Sequence, residues 1–134
     1  MYLTLPKEDR QLAALGKHVL IELNDCNKDL INDIEYLRMT LSEVARQIGA
    51  TVIKDTFYQF TPQGVSGVVL IAESHISVHT WPEYNYAAVD VFTCGDVIKP
   101  RNAVKLLAEK LKSKSTTFIE IKRGIGAGNR AGVS

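Results

Sequence analysis

The sequence predicts an α+β fold: a two-layer sandwich in which a largely antiparallel sheet carries two helices on one face. The chain has 134 residues, the size of one globular domain with a single core. Two segments carry apolar residues at helical spacing, and about six short segments are rich in β-branched and aromatic residues. Because tight turns separate most of these short segments, neighbouring strands are expected to be antiparallel. We therefore treat residues 1–134 as one domain.

The first half of the chain predicts a strand followed by a long helix. After a polar arm at residues 1–14, residues 18–23 form a short apolar run between a glycine and an Asn-Asp pair, as is typical of a strand. Apolar residues then recur at alternating steps of four and three, which marks the core-facing side of a helix: Leu30, Ile34, Leu37, Leu41, Val44 and Ile48. We expect Asn32 to cap the start of this helix and Gly49 to follow its end.

Five further strands and a second helix are predicted in the rest of the chain. The strands are expected at residues 51–60, 65–71, 76–81, 86–94 and 116–121. The run 65–71 is apolar enough to be buried on both faces. Pro100 is suited to the first turn of a helix whose apolar face carries Val104, Leu107 and Leu111. The glycine-rich tail from Arg123 onward is expected to be disordered.

The composition argues against several classes of function. The formal net charge is +1, so the chain lacks the basic surplus that nucleic-acid-binding proteins usually carry. No apolar run approaches the about 20 residues that a membrane span needs, and the first residues lack the apolar stretch of a signal peptide. Two cysteines, Cys26 and Cys94, are too few for a disulfide framework and favour a reducing compartment. We expect a cytoplasmic protein that binds neither nucleic acid nor membrane.

One face of the predicted sheet has no helix to cover it. The strands that form this face are apolar in character, and a large exposed apolar surface usually marks an interaction site. Because pairs related by a two-fold axis are the commonest protein assemblies, we expect this face to form a homodimer.

Residues 72–94 hold an unusual concentration of reactive side chains. Two of the three histidines, the only tryptophan and one of the two cysteines lie in this segment. Its notable residues are Glu73, Ser74, His75, His79, Trp81, Glu83, Asp90 and Cys94. Polar groups in a half-buried sheet cost free energy unless they are paired, so this concentration indicates a functional site.

Three common kinds of site fit this segment poorly. A serine hydrolase places its nucleophile in a G-x-S-x-G turn between a strand and a helix, whereas Ser74 follows Glu73 and lies between two strands. A zinc site made of His75, His79 and Cys94 is chemically allowed but lacks the usual ligand spacing. No glycine-rich loop leads from a strand into a helix, so a cradle for nucleotide phosphates is not expected.

Several short motifs become informative as a set. They are Gly16-Lys17-His18, Gly64-Val65-Ser66-Gly67-Val68-Val69, Glu73-Ser74-His75, His79-Thr80-Trp81-Pro82-Glu83-Tyr84 and Phe92-Thr93-Cys94-Gly95. Together, and in this order, they closely resemble the short prokaryotic S-adenosylmethionine decarboxylases, which depend on a pyruvoyl group. The similarity covers about residues 15–123. No single motif is specific, but their joint occurrence in a chain of this length is.

The resemblance implies a proenzyme that cuts its own backbone between Glu73 and Ser74, which would give residues 1–73 and residues 74–134. A serine hydroxyl held against the preceding carbonyl can attack it and turn the amide into an ester. Such an attack requires a strained turn, a base and hydrogen-bond donors for the oxyanion. Ser74 would then become a covalent pyruvoyl group, and the resemblance implies neither a bound metal nor a dissociable cofactor.

The resemblance also assigns roles in the chemistry. In self-cleavage, Ser66 would donate a hydrogen bond and His79 would move a proton. The pyruvoyl carbonyl would form a Schiff base with the substrate amine and act as an electron sink, and Cys94 would return a proton to the substrate carbon. Simple alternation puts Ser74 and His79 on opposite faces of their strand, so these roles need a kink or bulge near Ser74 or contacts across a dimer.

The substrate implied is S-adenosylmethionine, and the product would be the aminopropyl donor for spermidine synthesis. The resemblance points to Phe60 stacking on the adenine and to Glu83 accepting hydrogen bonds from the ribose hydroxyls. Trp81 is a candidate for contact with the sulfonium cation, which an aromatic face attracts. Two alternatives stay open at this point: a pyruvoyl-dependent arginine decarboxylase of the same fold, and an uncleaved homologue that modulates a partner.

Overall fold

A computed structural model of the chain describes residues 14–127. The strands are β1 (Gly16–Asn24), β2 (Thr51–Gln59), β3 (Val65–Ala72), β4 (Ser74–Trp81), β5 (Tyr86–Cys94) and β6 (Ser115–Arg123). The helices are α1 (Ile34–Gln47) and α2 (Asn102–Lys110). The strands form one antiparallel sheet in the order β2-β3-β4-β5-β1-β6. The predicted α+β class and the predicted order of elements are confirmed.

Both helices lie on one face of the sheet and cover the core there. Buried side chains alternate along the strands, as in Val19, Ile21 and Leu23 of β1, and they meet the apolar side of α1 at Leu37, Leu41 and Val44. Alternation of this kind is the expected pattern where a sheet is covered on one face alone. The second face of the sheet, which we call the open face, carries the intervening side chains of every strand.

The start of α1 differs from the sequence prediction. Asp33, not Asn32, is the N-cap, and its side chain accepts a hydrogen bond from the backbone N–H of Tyr36 at 3.0 Å. Asn32 is the last residue of a short 3-10 helix, and its side chain accepts a hydrogen bond from the backbone N–H of Gly64 at 2.9 Å. Asn32 therefore ties the entry of the helix to the turn between β2 and β3. Gly49 follows α1 with a φ of +96°, as predicted.

Strand β3 is buried on one face, so the prediction of burial on both faces is wrong. Val65, Val69 and Ile71 point into the core, whereas Leu70 on the open face is 45% exposed. The apolar residues of the open face are covered by nothing within the described residues. Exposed apolar surface of this kind is typical of an interaction site.

The described end of the chain also departs from the prediction. Arg123 belongs to β6, and residues 124–127 form a turn in which the N–H of Ala127 donates to Gly124 at 3.1 Å. The predicted disorder is therefore wrong for this stretch, while residues 128–134 and most of the polar arm lie outside the described residues. Among the described residues, neither helix is long and apolar enough to cross a membrane.

Candidate active site

Ser74 lies at a strained position directly after a tight hairpin. The cross-strand pair of Ile71 with Ser74 leaves a turn of two residues, Ala72 at the end of β3 and Glu73 after it. Ser74 has a φ of +109°, in the region that side-chain-bearing residues rarely occupy and that costs of order 1–3 kcal/mol. The backbone is thus strained at the predicted scissile bond.

Cys94 lies beside this turn on the neighbouring strand. Ser74 pairs with Thr93 across β4 and β5, and Cys94 is the next residue of β5. The Cys94 thiol is free and half-buried. The fully buried Thr93 hydroxyl has no hydrogen-bond partner among the described residues. Glu73, Ser74 and Cys94 are named the cleavage group below.

Ser66 and His79 form a direct pair on the open face. They are opposite residues of β3 and β4, and Ser66 Oγ lies 2.8 Å from His79 Nδ1. A shallow cavity of about 250 Å³ opens beside them, lined by Thr56, Phe57, Tyr58, Gly67, Val68 and Ser77 as well as the pair itself. A side-chain carbon at position 67 would collide with the ring of Phe57, so glycine at this position makes room for that ring.

The predicted substrate-binding residues lie at the same end of β4 as His79. The ring of Phe60 is exposed and lies 4.9 Å from that of Tyr58. The ring of Trp81 stacks at 5.3 Å on Tyr86. Glu83 is exposed on the short 3-10 helix Pro82–Tyr84 that follows β4. Ser66, His79, Trp81, Glu83 and Phe60 are named the histidine group.

A single chain does not bring the two groups together. Ser74 and His79 are five residues apart along β4, which is about 16 Å at the rise of an extended strand. The positive φ of Ser74 turns the backbone locally but leaves the register of β4 with both neighbours intact. A local kink at Ser74 would not by itself close this distance.

A third cluster lies between the two groups and contains Asp90, His75, Ser77 and His18. His18 was not singled out from the sequence as a site residue. Asp90 Oδ2 accepts hydrogen bonds from His18 Nε2 at 2.6 Å and from His75 Nε2 at 2.8 Å, and Ser77 Oγ donates to Asp90 Oδ1. Burial raises the pKa of Asp90, but the bonds from Ser77, His18 and His75 outweigh it and hold this pKa below its usual value. The available signal for His18 was its position among the outward-facing residues of a predicted strand.

The contacts of His18 favour a hydrogen-bond network over a metal centre. His18, His75 and Asp90 place three possible ligand atoms within 4.8 Å of one another. However, Arg123 Nη1 lies 3.0 Å from His18 Nδ1, and a guanidinium can only donate. His18 Nδ1 is therefore the acceptor, and the ring proton lies on Nε2, the atom that a metal would need.

The fold and its open face define the class of this protein: an antiparallel α+β sandwich with a candidate active site beside a strained serine. The comparison with known proteins makes the class specific. Residues 17–124 match the S-adenosylmethionine decarboxylase family, and the chain belongs to this family.

Relatives and a solved structure agree with this assignment. An S-adenosylmethionine decarboxylase proenzyme of Thermodesulfovibrio yellowstonii is 50% identical over 112 residues, which cover 84% of this chain and 83% of the relative. A proenzyme of the same name from Pseudomonas aeruginosa is 49% identical over 122 residues, covering 91% of this chain and 76% of the relative. The crystal structure of the adenosylmethionine decarboxylase of Aquifex aeolicus superposes with a TM-score of 0.79 at 41% identity, covering 84% of this chain and 93% of the other.

Proposed function

We propose that this protein is a proenzyme that cuts itself between Glu73 and Ser74 and then decarboxylates S-adenosylmethionine to the aminopropyl donor for spermidine synthesis. The observation that carries the proposal is the strained φ of +109° at Ser74, on a two-residue hairpin, in a family whose relatives are named as proenzymes. The family name and the relatives favour S-adenosylmethionine over arginine as the substrate.

Self-cleavage needs only atoms that the chain and water supply. Ser74 Oγ attacks the carbonyl carbon of Glu73, and the amide between them becomes an ester. Elimination then releases the carboxylate of Glu73 and leaves dehydroalanine at position 74. The nitrogen of residue 74 departs as ammonia, and water supplies the oxygen of the pyruvoyl group that results. The products are residues 1–73 and residues 74–134. Relief of strain at Ser74 favours the first step.

Ser66 and His79 are suited to assist this cleavage. A hydroxyl that is hydrogen-bonded to an imidazole can donate to an oxyanion while the imidazole accepts or returns a proton. The 2.8 Å contact keeps the two side chains in one arrangement. We assign Ser66 as the donor and His79 as the group that moves the proton.

The residues around Ser74 fit a pyruvoyl group. Such a group supplies a carbonyl that withdraws electrons from the bond to the departing carbon dioxide. Cys94 follows the residue that pairs with Ser74, which supports a role in returning a proton to the substrate carbon. This role requires a free thiol, which the reducing cytoplasm maintains.

The substrate-binding roles follow the chemistry of the histidine group. The exposed ring of Phe60 can stack on adenine, and the carboxylate of Glu83 can accept hydrogen bonds from the ribose hydroxyls. The indole of Trp81 offers an aromatic face to the sulfonium cation.

A homodimer completes the active site in this proposal. The open face exposes large apolar side chains, among them Leu70, Ile119 and Ile121. If two open faces pack about a two-fold axis that crosses β4, the cleavage group of each chain meets the histidine group of its partner. The separation of about 16 Å within one chain then no longer keeps the two groups apart, because each site combines the cleavage group of one chain with the histidine group of the other.

Intact mass under denaturing conditions, followed by an assay of the products, tests the proposal. We expect two fragments divided after Glu73, with the second lighter than the plain peptide by the mass of ammonia. The purified protein should release carbon dioxide from S-adenosylmethionine but not from arginine. Ser74→Ala is the control and should be uncleaved and inactive.

Each contrary result has a defined meaning. A wild-type chain of full length and without activity would favour the uncleaved homologue. A cleaved chain that acts on arginine would replace the substrate but keep the cleavage. Activity of Ser74→Ala would overturn the mechanism.

A further inference from the structure

The network around Asp90 ties the first residues of β4 to three other strands. Asp90 of β5 accepts hydrogen bonds from His75 and Ser77, the second and fourth residues of β4. Asp90 also accepts from His18 of β1, which in turn accepts from Arg123 of β6. The network therefore runs across β4, β5, β1 and β6, although β1 and β6 lie far from β4 and β5 in sequence.

The side chain of His75 is held by packing as well as by this hydrogen bond. Its ring makes edge-to-face contacts with Phe92 at 6.0 Å and with His18 at 5.9 Å between centroids. The guanidinium of Arg123 also lies over the ring of Phe92, 5.2 Å from its centroid. His75 is half-buried, with its side chain 34% exposed.

Self-cleavage would make β4 the beginning of a new chain. Ser74 would lose its covalent link to Glu73, and chain ends fray unless contacts hold them. The reactive group formed from Ser74 stays attached to the backbone nitrogen of His75. A displacement of about 1 Å at a reacting centre can lower turnover by up to about 100-fold. The position of His75 therefore fixes the position of the reactive group.

We propose that Asp90 and His75 are positioning residues, whose hydrogen bond anchors the new end of β4 and keeps the reactive group beside Cys94. This inference rests on the proposed self-cleavage. His18 and Arg123 help to hold Asp90 in position, because the hydrogen bond from Arg123 directs the ring proton of His18 toward Asp90. The anchor acts through the hydrogen bond rather than through the bulk of the ring.

Three substitutions separate the hydrogen bond from packing. His75→Phe keeps a ring but removes the donor, His75→Gln removes the ring but keeps a donor, and Asp90→Asn replaces one accepting oxygen with a donor. Asp55→Asn is the matched control, because Asp55 also accepts a charge-assisted bond, from Arg38 at 3.1 Å, on the helix-covered side. Intact mass measures cleavage, hydrogen exchange measures protection of the first residues of the 74–134 fragment, and steady-state kinetics separate kcat from KM.

We expect all four variants to be cut after Glu73. In His75→Phe and Asp90→Asn, amides at the start of the fragment should exchange on the order of tenfold faster and kcat should fall on the order of tenfold. KM should change by less than about twofold, since the predicted binding residues are at the far end of β4. His75→Gln should retain more protection and more turnover than His75→Phe, and Asp55→Asn should match wild type.

If His75→Phe retained more protection and turnover than His75→Gln, the proposed role of the hydrogen bond would be wrong, because packing alone favours a ring at this position. Wild-type exchange and kcat in both His75→Phe and Asp90→Asn would overturn it too. Loss of cleavage in either variant would also contradict it, since the role would then precede the new chain end. If wild type itself is uncut, the proposed function fails instead, and this inference with it. Asp90→Asn provides the decisive comparison if His75→Phe does not fold.

Discussion

Ser66 and His79 are opposite one another on β3 and β4, with Ser66 Oγ 2.8 Å from His79 Nδ1. This pair lies about five residues along β4 from Ser74, the residue that it is proposed to assist. Because strand geometry separates the parts within one chain, the proposed mechanism implies that two chains cooperate. The first prediction tests that implication.

Two inactive variants should restore activity when they are produced together. Ser74→Ala keeps His79, and His79→Ala keeps Ser74, so a mixed dimer regains one complete site. Random pairing should restore up to about a quarter of wild-type activity, because half the dimers are mixed and each has one working site. Cleaved His79→Ala chains, detected by mass, would accompany the activity.

The control for this restoration is His79→Ala produced with the double variant Ser74→Ala/His79→Ala. No dimer of that mixture contains a complete site, so it should be uncleaved and inactive. Equal behaviour of the two mixtures would show that each chain acts alone.

Cys94→Ala should be cut but decarboxylate poorly. The loss of a proton donor lowers turnover by about 100-fold or more, while the strained turn at Ser74 is unchanged. Cleaved fragments counted by mass and turnover per cleaved chain are the two measurements. The matched control is Cys26→Ala, since burial raises the pKa of the Cys26 thiol to about 11 and its Sγ donates to Leu23 at 3.4 Å. Cys26→Ala should lower stability and spare turnover; normal turnover in Cys94→Ala would remove Cys94 from its role.

Two buried threonines should respond in opposite ways to replacement by valine. Thr93 has a hydroxyl without a partner among the described residues, so Thr93→Val should leave the free energy of unfolding unchanged or raise it by about 1 kcal/mol. Thr80 Oγ1 accepts from the N–H of Val65 at 2.9 Å, so Thr80→Val should lower it by about 1–3 kcal/mol. Denaturant unfolding in a Ser74→Ala background, where the chain stays intact, is the measurement. Equal losses would mean that the Thr93 hydroxyl has a partner in solution.

The contribution of Asp90 to stability should depend on pH. Its pKa is lowered in the folded state, so the carboxylate stabilises the fold above its unfolded pKa of about 4 and loses this contribution as pH falls through the folded value. In the Ser74→Ala background, Asp90→Asn should be less stable than its parent near neutral pH, and the gap should narrow below about pH 4. His18 and His75 contact the same carboxylate and Arg123 contacts His18, so the comparison is made at each pH between parent and variant. A gap that widens in acid would contradict the sign.

The sequence by itself determined the local elements and indicated the candidate site residues. The alternation of Ile76, Val78 and Thr80 predicted the buried side of β4, because successive side chains of a strand point to opposite faces. The helical spacing of α1 was equally plain, while its cap was assigned to Asn32 instead of Asp33. Either of two neighbouring polar residues can cap a helix, and which one does so depends on the other hydrogen-bond partners within reach of their side chains. Here the turn at Gly64 takes the side chain of Asn32.

Only the tertiary structure decided which reactive residues meet. Strand order places β1 between β5 and β6, and so brings His18 to Asp90, a residue 72 positions away. No local pattern contains that pairing, because it depends on the core that all strands share. The structure likewise separates Ser74 from His79 along one strand, although they are close in sequence. An extended chain keeps near neighbours apart, whereas a sheet joins distant segments side by side, and for that reason the motifs identified the residues but not the geometry of the site.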